Sequence, residues 1–214
     1  VKLNLAKCEF KGKVCAEDAV TLEPVAISPD GAMKLDILQQ RYRLIKISNE
    51  PPRFRDDALG PNLLTNAPPA TLDKEWLSHE LPLEPNSVYV LRAELKMDKT
   101  LGEGGENPNS MGMFSPSIRH LTSIRLVGAG IHGINATNTV SLCPVDGKED
   151  WVLYAETPHY QGTYYPQHWE KTPGWMTLFL PVGTATNTVS GRVVVGVSDP
   201  GQAQIKDIML RKVK

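Results

Sequence analysis

The sequence predicts an all-β protein, a two-sheet antiparallel sandwich with long loops. Three observations predict it. Apolar residues recur with period two rather than 3.6 in most of the patterned stretches. Turn signals separate those stretches at Pro29-Asp30-Gly31, Asp146-Gly147 and Asp199-Pro200-Gly201. Helical patterning is thin, the best candidate being the short run 31–40, where Met33, Leu35 and Leu38 lie near one another. Many short strands divided by turns argue for a sandwich.

The strands follow in order. Segments 20–27 and 42–48 alternate and read as the first two. Segment 87–97 alternates most clearly. It puts Tyr89, Leu91, Ala93, Leu95 and Met97 on an apolar face, opposite Val88, Val90, Arg92, Glu94 and Lys96. Segments 122–127, 176–182 and 192–198 obey the same rule. In 203–213 the alternation falters around Asp207, as a bulge or two covered faces would produce. Asp199-Pro200-Gly201 lies between two strands and reads as a hairpin loop. Segments 48–73 and 99–116 read as long irregular loops, which are uncommon unless functional or disordered.

Composition excludes several classes. The formal net charge is −1 and no Lys/Arg cluster forms a basic stripe, so no nucleic-acid partner is expected. No apolar run approaches about 18 residues, so no membrane insertion is expected. The chain opens on Val1 rather than Met, which fits a mature exported protein and fits an excised fragment equally. Cys8 and Cys15 flank Gly12; across a hairpin they could form a disulfide, and as two small buried thiols they would simply pack. Cys143 has no evident partner and reads as core.

Seven of the chain's fourteen aromatic residues fall within 151–175. Prolines and glycines break this stretch, so it is a loop rather than a buried strand. Rings with polar tips stack on apolar surfaces and bond at their rims. The candidate binding set is therefore Tyr154, Glu156, His159, Tyr160, Gln161, Tyr164, Tyr165, Gln167 and Trp169. A self-packed loop or a protein interface would use the same residue types. Trp151 and Trp175 adjoin alternating segments and read as core. The carboxylates Glu149, Asp150, Glu156 and Glu170 surround the loop, but their spacing sets no catalytic separation. His159 and His168 are nine apart on a loop, which has no special metal geometry. No G-x-S-x-G or phosphate-loop pattern is present. Asn135-Ala136-Thr137 is a lone glycosylation sequon.

Segment 81–96, with its apolar-Pro turn, Tyr89 and alternating strand ending in Lys96, resembles a strand of jelly-roll carbohydrate-binding modules and their galactose-binding-like relatives. Segments 174–181, 193–197 and 204–210, with the turn at Asp199-Pro200-Gly201, resemble that family's closing strands. The match spans 76–98 and 174–213, and 1–60 departs from the family's opening. The resemblance implies a sandwich of jelly-roll type over 1–214, with 1–60 as an added N-terminal element. It also implies a structural calcium near Asp207, whose other reading is an aspartate bonded to backbone.

The expected function is non-catalytic recognition of a polysaccharide or glycan by an exported or cell-surface protein. The alternative is self-association, as a structural subunit of a surface layer, filament or secreted complex. There the extended 1–5 could pair with a neighbour's sheet edge. A glycan-active hydrolase or lyase is the third reading.

Overall fold

The computed structural model describes residues 10, 12–19, 21–35, 44–72, 75–97, 123–134, 152–156, 175–196 and 203–214. The described residues contain no α-helix. Their strands are β1 (Cys15–Asp18), β2 (Pro24–Val25), β3 (Ile45–Ser48), β4 (Leu59–Asn62), β5 (Thr71–Leu72), β6 (Trp76–Leu77) and β7 (Leu81–Pro82). There follow β8 (Val88–Met97), β9 (Ser123–Val127), β10 (Ile131–Gly133), β11 (Val152–Glu156), β12 (Met176–Thr184), β13 (Ser190–Gly196) and β14 (Ala203–Val213).

These strands form an all-β sandwich. One sheet runs β10-β12-β8-β14-β4, with β5 also on β14. The other runs β11-β9-β13-β6, with β7 also on β13. Every pairing described is antiparallel. Both sheets feed one apolar cluster. Tyr89, Leu91, Ala93, Leu178, Val182, Ile205, Ile208 and Leu210 come from the first sheet, and Ile124, Leu126, Val193 and Val195 from the second. The apolar face expected for β8 is therefore the core face.

The faltering pattern of the last strand comes from a bulge, one of the two expected causes. Pairing with β8 shifts register between Lys206 and Met209, and Asp207 takes φ +51°. The extra residue restores Ile208 and Leu210 to the face already used by Ile205, so all three are buried. Asn62 pins the shifted stretch: its Oδ1 accepts the Leu210 N–H at 2.9 Å and the Leu64 N–H at 3.2 Å.

The motif before β8 works as a clamp. The Glu84 N–H donates to the Tyr89 hydroxyl at 2.7 Å. The buried Thr184 hydroxyl accepts the Ser87 N–H at 2.8 Å and donates to the Glu84 carbonyl at 2.7 Å. The turn from β9 to β10 uses Gly130 at φ +70°, where a Cβ would meet Asn187, Thr188 and Ala185 within 3 Å.

A third, small sheet of order β2-β1-β3 pairs with neither larger sheet among the described residues. Glu17 and Lys46 pair across it at 3.0 Å, and that carboxylate raises the ammonium's pKa above its ordinary value. A second apolar cluster lies on the outer face of the first sheet: Phe54, Leu59, Val90 and Phe179, with Leu22, Val88, Ile134 and Val213 packed against it. Phe54 and Phe179 meet edge-on at 6.1 Å between ring centroids. Arg211 ties this covering to β14, through Gly60 O at 2.7 Å and Asp56 Oδ1 at 2.9 Å.

Four expectations are corrected. Segment 31–35 is not helical: Ser28 and Ala32 close a tight turn in which Gly31 takes φ +79°. Segment 20–27 is not one strand, because Asp18 Oδ1 accepts the Thr21 N–H and Leu22 turns to φ +63° before β2 begins. Segment 48–73 is not simply irregular; it contributes β4, β5 and the buried Phe54. Finally, β13 and β14 form no hairpin, because they belong to opposite sheets. A Pro-Gly turn satisfies a sheet-to-sheet arch as readily as a hairpin, so local turn chemistry does not choose between them.

Candidate functional site

The outer face of the first sheet divides into two regions. Toward the start of β8 it is covered by the Phe54 cluster. Toward the end of β8 it carries charge. In the core-facing set of β12, Leu178 and Val182 are fully buried, so the odd-numbered residues of that strand lie on the other face. Trp175 precedes that strand and lies beside the same outer face. The Lys206 Nζ stands 4.3 Å from the centroid of its ring, a cation–π contact. Trp175 is half-buried and belongs to neither apolar cluster, which corrects its expected place in the core.

Three strands assemble the charged group. Glu94 of β8 stands opposite Thr177 of β12 and Lys206 of β14. Its Oε2 receives Lys206 Nζ at 3.2 Å, and its Oε1 receives Arg92 Nη2 at 3.2 Å. Lys96 and Gln204 pair in the next row. Lys206 is 43% exposed in its side chain and Arg92 30%, so both cations still meet solvent. Exposed pairs of this kind contribute only about 0–1 kcal/mol to stability. Their effect is to hold the Lys206 ammonium over the Trp175 ring and Arg92 on the other side of Glu94. The guanidinium keeps further N–H groups beyond the one spent on Glu94, and the ammonium likewise. An aromatic ring beside preset donors can pack against a flat or C–H-rich ligand and bond its hydroxyl or anionic groups.

The described residues that bracket the expected aromatic loop lie at this same end of the sandwich. Met97 ends β8, while Met176 and Ala203 begin its two antiparallel neighbours. In the other sheet Ser123, Glu156 and Gly196 share one end. Only 197–202 separate β13 from β14, so those two ends are adjacent across the sandwich. Glu156 and Trp175, the described residues that bracket 157–174, thus lie at this end.

Of the expected binding residues, Tyr154 and Glu156 lie on β11, in register with Arg125 and Ser123. His159, Tyr160, Gln161, Tyr164, Tyr165, Gln167 and Trp169 lie outside the described residues. Asp207 is exposed at the bulge. Among the described residues no group of three His, Cys, Asp or Glu could hold a metal. Cys15 is a free, half-buried thiol, and Cys8 lies outside the described residues.

Arg92, Glu94 and Lys206 were not expected as site residues. The alternation of β8 already set Arg92 and Glu94 on the face away from the core. Knowledge of which strands flank β8 was needed to add Lys206 and Trp175. The outer face of the second sheet carries a weaker feature. Arg125 pairs with Glu75, its Nε is buried with no hydrogen-bond partner, and Leu77 lies half-exposed two strands away.

A scan against protein-family models finds no match, and a search of curated proteins finds none. No helix among the described residues is long and apolar enough to cross a membrane.

Proposed function

We propose that this chain is a non-catalytic carbohydrate-recognition domain of jelly-roll type, acting outside the cell or at its surface. The observation that carries this reading is the half-buried Trp175 ring with the Lys206 ammonium held over it by Glu94, whose other oxygen takes Arg92. A pyranose presents an apolar C–H face to such a ring and hydroxyls to such donors. The residues that bracket the aromatic-rich segment 157–174 in sequence, Glu156 and Trp175, are the described ones nearest to it, and Tyr160, Tyr164, Tyr165 and Trp169 remain part of the proposed binding set. Strict alternation between the two sheets from β8 through β14 supports the jelly-roll order. A calcium held near Asp207 is part of the same proposal.

Single sites of this kind bind weakly and gain by repetition along a polymer. The test is glycan-array screening followed by calorimetry on the best binder. Trp175→Ala is expected to weaken binding at least tenfold while leaving the unfolding midpoint within a few degrees of the parent. Unchanged affinity in that variant would remove Trp175 from the site and this reading with it.

A further inference from the structure

Resting on the glycan reading above, we infer that the chain's own Lys206 guards the Trp175 ring, as an intramolecular competitor that a ligand must push aside. The ammonium stands over the ring, 4.3 Å from its centroid. It therefore fills the space in which the C–H face of a sugar would pack. Lys206 lies on β14 and Trp175 precedes β12, with β8 between those strands, so the contact bridges the middle strand. Glu94 stands on that middle strand, in register with Lys206. Its Oε2 takes the ammonium at 3.2 Å while its Oε1 takes Arg92 at 3.2 Å. With one oxygen committed to Arg92, the carboxylate keeps the other toward Lys206. Glu94 is thus a positioning residue for the guard.

The guard is able to yield. The Lys206 side chain is 43% exposed, so an ammonium leaving the ring passes to water rather than into the core. A ligand then binds with its intrinsic dissociation constant divided by the fraction of chains whose ring is uncovered. A cation–π contact at an exposed site weakens apparent binding by about two- to fivefold on this arithmetic. Salt screens the Lys206–Glu94 pair and so raises the uncovered fraction. A neutral saccharide has no charge of its own to screen. Its binding therefore tightens as sodium chloride is added, the reverse of charge-driven association.

The experiment is calorimetry with the tightest-binding neutral saccharide of the array, on the parent, Lys206→Ala, Glu94→Gln and Trp175→Ala. Acrylamide quenching of indole fluorescence is read on the same four proteins, with Trp175→Ala subtracted to isolate one of the four tryptophans. Lys206→Ala is expected to bind about two- to fivefold more tightly than the parent, and Glu94→Gln to move the same way. Trp175 should be quenched more readily in both. Salt should tighten binding in the parent and leave Lys206→Ala unmoved. Equal or weaker binding by Lys206→Ala, with binding still lost in Trp175→Ala, would overturn this inference and leave the glycan reading standing. Unchanged quenching of Trp175 in Lys206→Ala would overturn it without recourse to a ligand. Binding that survives intact in Trp175→Ala, or no binding to any saccharide, would overturn both.

Discussion

Thr184 separates hydroxyl from methyl as a source of stability. Its side chain is 3% exposed, so its hydroxyl depends on protein partners. That hydroxyl accepts from Ser87 N at 2.8 Å and donates to Glu84 O at 2.7 Å, tying the turn before β8 to the end of β12. Thr184→Val keeps the volume and leaves both backbone groups unpaired. A buried group left unpaired costs about 1–3 kcal/mol. Ser87 is half-buried and Glu84 is exposed, so water recovers part of that loss. The expected cost is about 2–3 kcal/mol. Thr184→Ser keeps the hydroxyl and loses one methyl, at about 1 kcal/mol. Hydrophobic burial alone would rank valine above serine, whereas the network ranks serine above valine.

Urea unfolding of the parent and both variants decides the order, with equal m-values required for the comparison. In thermal melts 1 kcal/mol corresponds to roughly 2–4 °C at this chain length, so valine should melt roughly 4–12 °C below the parent. Tyr89→Phe unpairs the Glu84 N–H of the same turn. Combined with Thr184→Val, it should cost less than the two single changes added, because both loosen one clamp. A valine variant as stable as serine would refute the role assigned to the hydroxyl.

Phe54→Ala should cost about 3–5 kcal/mol, since the ring is buried against Phe179, Leu59 and Val90. Faster proteolysis in 15–48 than in the parent would show that the covering layer has loosened. Gly130→Ala should destabilise by about 2 kcal/mol or more, from a positive φ and a crowded Cβ, as measured by urea unfolding. Asp207→Gly, assayed in chelator, should raise stability by up to about 1 kcal/mol, because it relieves a left-handed conformation at an exposed position. A midpoint that rises with calcium in the parent and not in this variant would show that the carboxylate also holds an ion.

What the sequence made legible follows from where each signal resides. Period-two alternation is a property of a single strand, so β8, β9, β12 and β14 were readable, as was the fault in β14 that proved to be a bulge. Partner choice is a property of pairs of strands. The turn at 199–201 gave no sign that β13 and β14 lie in different sheets. The prolines of 48–73 hid β4 and β5, because short edge strands tolerate them and an alternation rule does not. Met33 illustrates the opposite error: its apolar spacing suggested a helix, yet it is buried beside a glycine turn. Trp175 was read as core because it adjoins an alternating strand, yet its parity is opposite to that of the buried Leu178 and Val182.

The outer face of β8 connects fold to site within one strand. Reading every second residue gives Val88, Val90, then Arg92, Glu94, Lys96. A sheet face that is simply solvated would have no reason to begin with two valines, and a covered face would not end with three charges. The change between Val90 and Arg92 marks where the Phe54 layer stops: Val90 is 1% exposed beneath it, while Arg92 is 30% exposed in its side chain. The covering layer therefore also bounds the candidate site, since Phe179, directly opposite Arg92, belongs to the buried cluster on one side of that boundary. Loosening the layer through Phe54 should consequently disturb the Arg92 end of the site before the Trp175 end. A site built independently of that layer would show no such order.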